Sequence, residues 1–206
     1  MNKNLLNKEW IDNLEFEKIA NMILNNCYLV IGKSYYRICE IEMYLMSSKH
    51  KDRYVHCSDD QKQYQIFYFH KFPNGSFKGG TFKGCDLAFG NEKDNIFFGI
   101  LLRSICNKDT DEFIGGPCKV VNEMLEKTNY NHLKELTKNN PNLSIFNKKG
   151  SIRIEADPSI KDKEMFKGPR IGLSDKYPDF KLRHYRYLTD YKRVKKGKKS
   201  LVRFDL

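Results

Sequence analysis

Long apolar runs are missing from this sequence. No stretch approaches the ~20 apolar residues of a membrane-spanning helix, and Met1 to Trp10 has no run suited to a signal peptide. The chain is therefore expected inside the cell, in nucleus or cytoplasm, neither secreted nor bound to a membrane. In that setting Asn74-Gly75-Ser76 reads as a turn rather than a glycosylation sequon. C-x-x-C pairs are missing too. The six cysteines (Cys27, Cys39, Cys57, Cys85, Cys106 and Cys118) are scattered, which excludes a dense disulfide scaffold and fits free thiols in a reducing compartment. His50, His56 and Cys57 stand close together, but no second ligand pair lies at zinc spacing, so no metal is expected. The Walker order G-x-x-x-x-G-K-[ST] is absent. Internal repeats and linkers are absent as well.

Negative charge is in deficit. Against 37 Lys and Arg there are 26 Asp and Glu, a net charge of +11 over 206 residues. Such a balance favours a polyanionic partner, with a Lys/Asn-rich composition of no functional consequence as the other reading. Fourteen Phe and twelve Tyr speak against disorder, and a chain this long can bury a core without staples.

The periodicity predicts a helix over Asn13 to Asn26, with Ile19, Ala20, Ile23 and Leu24 on one face. A hairpin follows: Cys27 to Ile31, a turn at Gly32, and Tyr35 to Leu45. Ser47 to Gln63 reads as a loop or irregular helix, Tyr64 to His70 as a strand, and Ser76 to Gly90 as strands bent at glycines. Ile96 to Ile105 reads as a central strand. Pro117 opens a helix that continues over Cys118 to Lys127, and a short helix is expected near Tyr130 to Leu136, broken at Pro141. Ser151 to Glu155 is a strand by alternation, Lys167-Gly168-Pro169 a loop, and the C-terminus a basic segment from about residue 190. Together these predict one α+β domain with a mostly antiparallel, curved sheet packed by helices.

Four constellations could carry chemistry. Alternation sets Glu40, Glu42 and Tyr44 on one strand face; like charges there are either both solvated, or one carboxyl is pushed up and becomes a useful base. The glycine-rich stretch Gly75 to Gly90 carries Lys78, Lys83 and Asp86, able to bind phosphate or merely bending a sheet. Arg103 interrupts an apolar run and needs a carboxylate partner. The C-terminal segment strings Arg183, Arg186, Lys192 and Arg193 among Tyr185, Tyr187 and Tyr191, a pattern suited to phosphates and bases or to a solubilising tail.

Taken in order, these pieces resemble the alkyladenine (3-methyladenine or methylpurine) DNA glycosylase family. Glu40-Ile41-Glu42-Met43-Tyr44-Leu45 is similar to its E-T-E-A-Y-L motif, Asp52 to His56 to its D-x-x-x-H segment, and Ile100 to Ser104 to V-L-L-R-A. Gly116-Pro117-Cys118-Lys119 is similar to G-P-S-K, Arg170 to Leu173 to R-V-G-V, and Arg183-His184-Tyr185 to R-F-Y. The resemblance covers about residues 15 to 190 in patches. The family's T-P-R-N segment has no counterpart, and its hairpin tyrosines fall on Gly80 and Lys83 and its pocket asparagine on Gly90.

The resemblance implies a monofunctional DNA glycosylase of base excision repair, without cofactor, that flips out a damaged purine, alkylated or deaminated. Glu42 would activate a water held by Arg103 and a backbone carbonyl near Ile171 to Leu173. Tyr44, His56, Ile171 and Leu173 would line the base pocket. Lys78, Lys83, Arg170, Arg183, Arg186, Lys192 and Arg193 would meet DNA, with the protein a monomer. Two alternatives stay open: a non-catalytic nucleic-acid-binding protein on the same fold, and an N-glycosidase acting on RNA or nucleosides.

Overall fold

The structure, a computed structural model, describes residues 6–205. Met1 to Leu5, half of the N-terminal stretch without a signal-peptide run, lies outside the described residues. The chain forms an α+β domain around one open, ten-stranded sheet among the described residues. Every strand pairing is antiparallel.

The expected first helix is two helices, α1 (Lys8–Asp12) and α2 (Phe16–Asn26). Leu14 between them takes a left-handed φ of 58°, which no α-helix continues through. The hairpin follows as β1 (Cys27–Ile31) and β2 (Ser34–Met46), with Ile31 opposite Ser34. β3 (Tyr64–Phe69), β4 (Cys85–Phe89) and β5 (Phe97–Asn107) come next. Of the glycine-rich stretch only β4 is strand; residues 76–84 form a loop with one 3₁₀ turn, Gly80–Phe82. A short β6 (Phe113–Gly115) leads into α3 (Pro117–Lys127) and α4 (Leu133–Asn139). The C-terminal part holds β7 (Ile152–Ala156), β8 (Met165–Gly168), α5 (Pro178–Lys181), β9 (Arg186–Leu188) and β10 (Val202–Phe204).

One expectation fails here: Lys167 and Gly168 belong to a strand, not a loop. The basic segment ends in β10, which pairs with β8. Short strands whose partners lie far along the chain have no local signature.

β2 organises the sheet. Its first half pairs with β1, its second with β9, and β5 runs along its other edge. The switch falls where the β2–β5 register is irregular, between Ile38 and Ile41. One face of the sheet, with Ile41, Met43, Ile100, Leu102, Leu87 and Phe67, packs on Ile19, Ile23 and Leu24 of α2 and Val120, Val121 and Met124 of α3, and this is the core. The other face carries the polar groups described next. No described helix is long and apolar enough to cross a membrane.

Candidate active site

Register assembles the site. Glu42 stands opposite Arg186 of β9 and Leu101 of β5; Leu101 stands opposite Asp86 of β4, and Asp86 opposite Tyr68 of β3. Directly opposed residues share a face, so these five form a row across the side of the sheet away from the core. Glu40 and Tyr44, two residues either way along β2, flank Glu42 on that face.

Glu40 and Glu42 are not solvated. Glu42 is 0% exposed, and both carboxylates are enclosed with two arginines. Arg103 Nε donates to Glu40 Oε1 at 3.0 Å, and its Nη1 lies 3.2 Å from Glu42 Oε2. Arg186 Nε donates to Glu40 Oε1 at 2.7 Å, and Ser104 Oγ to Glu40 Oε2 at 2.6 Å. Glu42 accepts from the Ile171 backbone N–H at 2.7 Å and the Tyr44 hydroxyl at 2.9 Å. Two carboxylates and two guanidiniums make a neutral quartet, the condition under which buried charges persist.

The two acids are driven apart. Burial raises the Glu42 carboxyl above its ordinary value, against Arg103, the Ile171 amide and the Tyr44 hydroxyl. Burial also pushes Glu40 upward, but Arg103, Arg186 and Ser104 together outweigh it, and its carboxyl lies below the ordinary range. Paired carboxyls in unlike environments are what acid–base work requires: a fixed anion beside a group that can take a proton.

Ile171 is held in place from behind. Arg170 is buried, with Nη1 on the Met43 carbonyl at 3.0 Å and Nη2 on Asp52 Oδ1 at 3.1 Å, and its guanidinium also lies 4.4 Å from the centre of the Tyr44 ring. This ties the loop carrying Asp52 to β2 and fixes the backbone whose next amide meets Glu42. Above Arg186 sits the lysine-rich loop before β10: Arg186 Nη2 donates to the Lys196 carbonyl at 3.0 Å. A Cβ at Gly197 would stand 2.5 Å from Ile171 Cδ1, and φ there is +61°, so only glycine closes the strap so tightly. Leu173, two residues beyond Ile171, is half-buried.

These contacts correct the expected DNA contacts at Arg170 and Arg186. Both lie inside the protein, at 4% and 1% exposed, and their charges are spent on Asp52 and Glu40. Arg193 is half-buried and paired with Asp111. Lys192 and Arg183 are exposed; Arg183 leans on the Phe180 ring and bonds the Tyr185 hydroxyl. Lys78 and Lys83 lie on the glycine-rich loop, Lys83 bonded to Asn122 of α3.

His56 belongs to the other end of the row. Its ring stands edge-on to His70 at 4.5 Å, and its Nε2 accepts from Lys78 Nζ at 3.3 Å. His70 Nε2 is 2.7 Å from Asp86 Oδ1, and Gln61 Nε2 donates to Asp86 Oδ2 at 3.2 Å. Desolvation among these neighbours, with His70 and Lys78 adding to it, pushes His56 down to about 4. Asp86 and Glu42 lie two strands apart, about 10 Å, with Leu101 between. Of the residues expected to form the pocket, Tyr44 and Ile171 touch Glu42, whereas His56 stands with Tyr68, His70 and Lys78 at the Asp86 side of the row.

Sequence reasoning missed the partners: Arg186 and Ser104 on Glu40, Asp52 on Arg170, and the Asp86–His70 pair. Asp86 alone had a signal, a carboxylate inside the apolar strand Cys85–Phe89. The family asparagine has no room to be matched at Gly90, where a Cβ would lie 2.0 Å from the Gln61 carbonyl.

No family model matches the chain. It is 38% identical over 197 residues to an uncharacterized protein of Acanthamoeba polyphaga mimivirus, across 90% of this chain and 91% of that protein. With identity of that order sustained over nearly both lengths, the chain belongs to the same family as the mimivirus protein.

Proposed function

We propose that the protein is a monofunctional N-glycosylase that hydrolyses the bond between sugar and a damaged purine in a nucleotide flipped out of its stack. One observation carries the reading: a buried carboxyl, Glu42, with a raised pKa, held by Arg103 and a backbone amide and set beside the ionised Glu40. Tyr44, half-buried, occupies the Glu42 oxygen that a substrate water would use. Tyr44 turns aside as the nucleotide enters and a water replaces its hydroxyl on Oε2. The water oxygen bonds to the anomeric carbon, Glu42 takes its proton, and the carbon–nitrogen bond breaks with its electron pair leaving on the base. General base catalysis of this kind contributes about 10²–10⁴-fold.

The leaving group follows from His56. Its Nε2 accepts from Lys78 Nζ at 3.3 Å, so that nitrogen carries no proton to give to a leaving base. The site thus favours a cationic alkylpurine, which departs as a neutral base, over a neutral lesion that must first be protonated. Flipping costs a few kcal/mol, least for damaged or mispaired bases.

The test is release of free base, read by mass spectrometry, from oligonucleotides carrying 3- or 7-alkylpurines, ethenoadenine or hypoxanthine. Glu42→Gln should lower release about 10²–10⁴-fold. Unchanged turnover removes Glu42 from the reaction. A second reading, a nucleic-acid-binding protein without chemistry, is favoured by the occupancy of both Glu42 oxygens. Tight, salt-sensitive binding with no release from any of these substrates would select it.

A further inference from the structure

A cavity apart from Glu42 lies on the glycine-rich side of the domain. It is an open groove of about 680 Å³ between the glycine-rich loop, residues 74–83, and the connection from α3 to α4. Lys78, Lys83, Lys134 and His132 line it, and no carboxylate does. Its floor is apolar, from Leu125, Leu133 and Phe77. At Gly79 and Gly80 a Cβ would meet nothing within 4 Å, so a ligand can approach the bare backbone of this wall. Between the lining residues Gly80 and Lys83 in sequence, Phe82 stands 73% exposed, the most exposed large apolar side chain described.

We infer that this groove is a track for an unpaired nucleic-acid strand, with Lys83, Lys134 and Lys78 on its phosphates and Phe82 as a stacking platform for a base. The inference rests on the nucleic-acid reading above and adds which form of nucleic acid is taken and where it runs. Three features converge on a single strand. Cations without carboxylates select a polyanion. A trough with an apolar floor takes bases and sugars as well as phosphates, as single-strand sites do. An exposed phenyl ring gains by stacking on a free base face, which a paired base inside a duplex does not offer. Lys78 joins the track to the site, because it lines the groove and its Nζ reaches His56 on the Glu42 face. A strand in the groove would leave it at the Asp86 side of the row.

The test uses the full chain and fluorescein-labelled twelve-nucleotide single strands of DNA and RNA, with a hairpin duplex of equal length, by anisotropy from 50 to 200 mM salt. The single strands should bind more tightly than the duplex. Lys83→Ala/Lys134→Ala should weaken binding and flatten the plot of log affinity against log salt by roughly 0.7 per lysine. Phe82→Ala should weaken it about five- to hundred-fold with the slope unchanged. Lys148→Ala/Lys149→Ala, exposed and outside the groove lining, is the charge-matched control and should bind as wild type. Wild-type affinity in both groove variants overturns the track, as does duplex binding equal to single strand that ignores Phe82→Ala. Displacement by polyglutamate at equal charge concentration also overturns it, since the groove would then be a general site for acidic chains. Failure of the reaction is separable: loss of strand binding in the groove variants with no base released anywhere keeps the track and removes the glycosylase. Base release with binding indifferent to these variants does the reverse.

Discussion

Neutralising Glu40 and neutralising Glu42 should have opposite consequences for stability, although the residues are two apart on one strand and share Arg103. Glu40 holds three strong contacts, from Arg103 Nε, Arg186 Nε and Ser104 Oγ, and its carboxyl lies below the ordinary range. Glu40→Gln leaves Arg186 buried beside a neutral amide. Breaking a buried pair from one side costs about 3–5 kcal/mol. In a chain of this size 1 kcal/mol moves Tm by about 2–4 °C, so the fall should be about 6–20 °C. Glu42 is the other case. Its raised carboxyl shows that burying its charge is unfavourable despite its partners. Glu42→Gln keeps an acceptor for the Ile171 amide and removes that charge, so Tm at pH 7 should stay level or rise.

The pH dependence gives the same contrast a second readout. A carboxyl with a lowered native pKa contributes stability above the unfolded value, near 4.3, and loses it as pH falls through the native one. The deficit of Glu40→Gln should therefore shrink in acid. Glu42 has the opposite sign: its contribution is complete below the unfolded value and lost as pH rises through the raised native value. The advantage of Glu42→Gln over wild type should grow from acid toward neutral pH. Differential scanning fluorimetry of the three proteins from pH 4 to 8 reads both trends. Should Glu42→Gln fall as far as Glu40→Gln at pH 7, Glu42 is a structural partner of Arg103 and the base assignment loses its physical ground.

Three further outcomes follow from the same contacts. The rate of base release should fall on the acid side through a single ionisation above the ordinary glutamate range, because Glu42 must be unprotonated to take a proton; a limb at or below the ordinary range would point to another base. Arg170→Met strands the buried Asp52 carboxylate and should cost about 3–5 kcal/mol in denaturant melts, and Arg170→Lys should restore little, because one ammonium cannot reproduce the two-pronged contact. Gly99→Ala would place a methyl 2.4 Å from Asp86 Oδ2 and 2.8 Å from Gln61 Nε2, so a loss of about 1–3 kcal/mol is expected, and a neutral change would mean that Asp86 is free to move.

The parts of the fold written in local patterns were legible. Helix α2, the β1–β2 hairpin, β5 and α3 all follow from periodicity, turn residues or an apolar run. What escaped depended on distant partners. β8 and β10 are four and three residues long; β8 is a strand through β9 and β10, and β10 through β8. The site divides the same way. Glu40, Glu42, Tyr44 and Arg103 could be singled out because a charge inside an apolar pattern is conspicuous. Arg170 and Arg186 could not be placed, because in a basic stretch an arginine destined for the interior looks like its exposed neighbours. Only the register, which sets Arg186 against Glu42, and the fold, which brings Asp52 to Arg170, separate them.

That division changes what the positive charge means. The three interior arginines, Arg103, Arg170 and Arg186, are matched by Glu40, Glu42 and Asp52, so this cluster contributes nothing to the net +11. The excess lies outside it and is carried mostly by lysine. The chemistry of the two cations fits the split. Guanidinium keeps its charge when buried and grips a carboxylate by two bonds, whereas ammonium is strongly hydrated and acts as a mobile point charge. An interior built on arginine gives a rigid frame for one carboxyl whose proton affinity matters. A surface rich in lysine gives a polyanion salt-dependent attraction without fixing its sequence. The groove along residues 74–83 is a concave part of that lysine surface, and Lys78 in its lining bonds His56. On the proposed reading, Lys78 gives the row a charged approach near Asp86, and Glu42 lies two strand spacings away, about 10 Å.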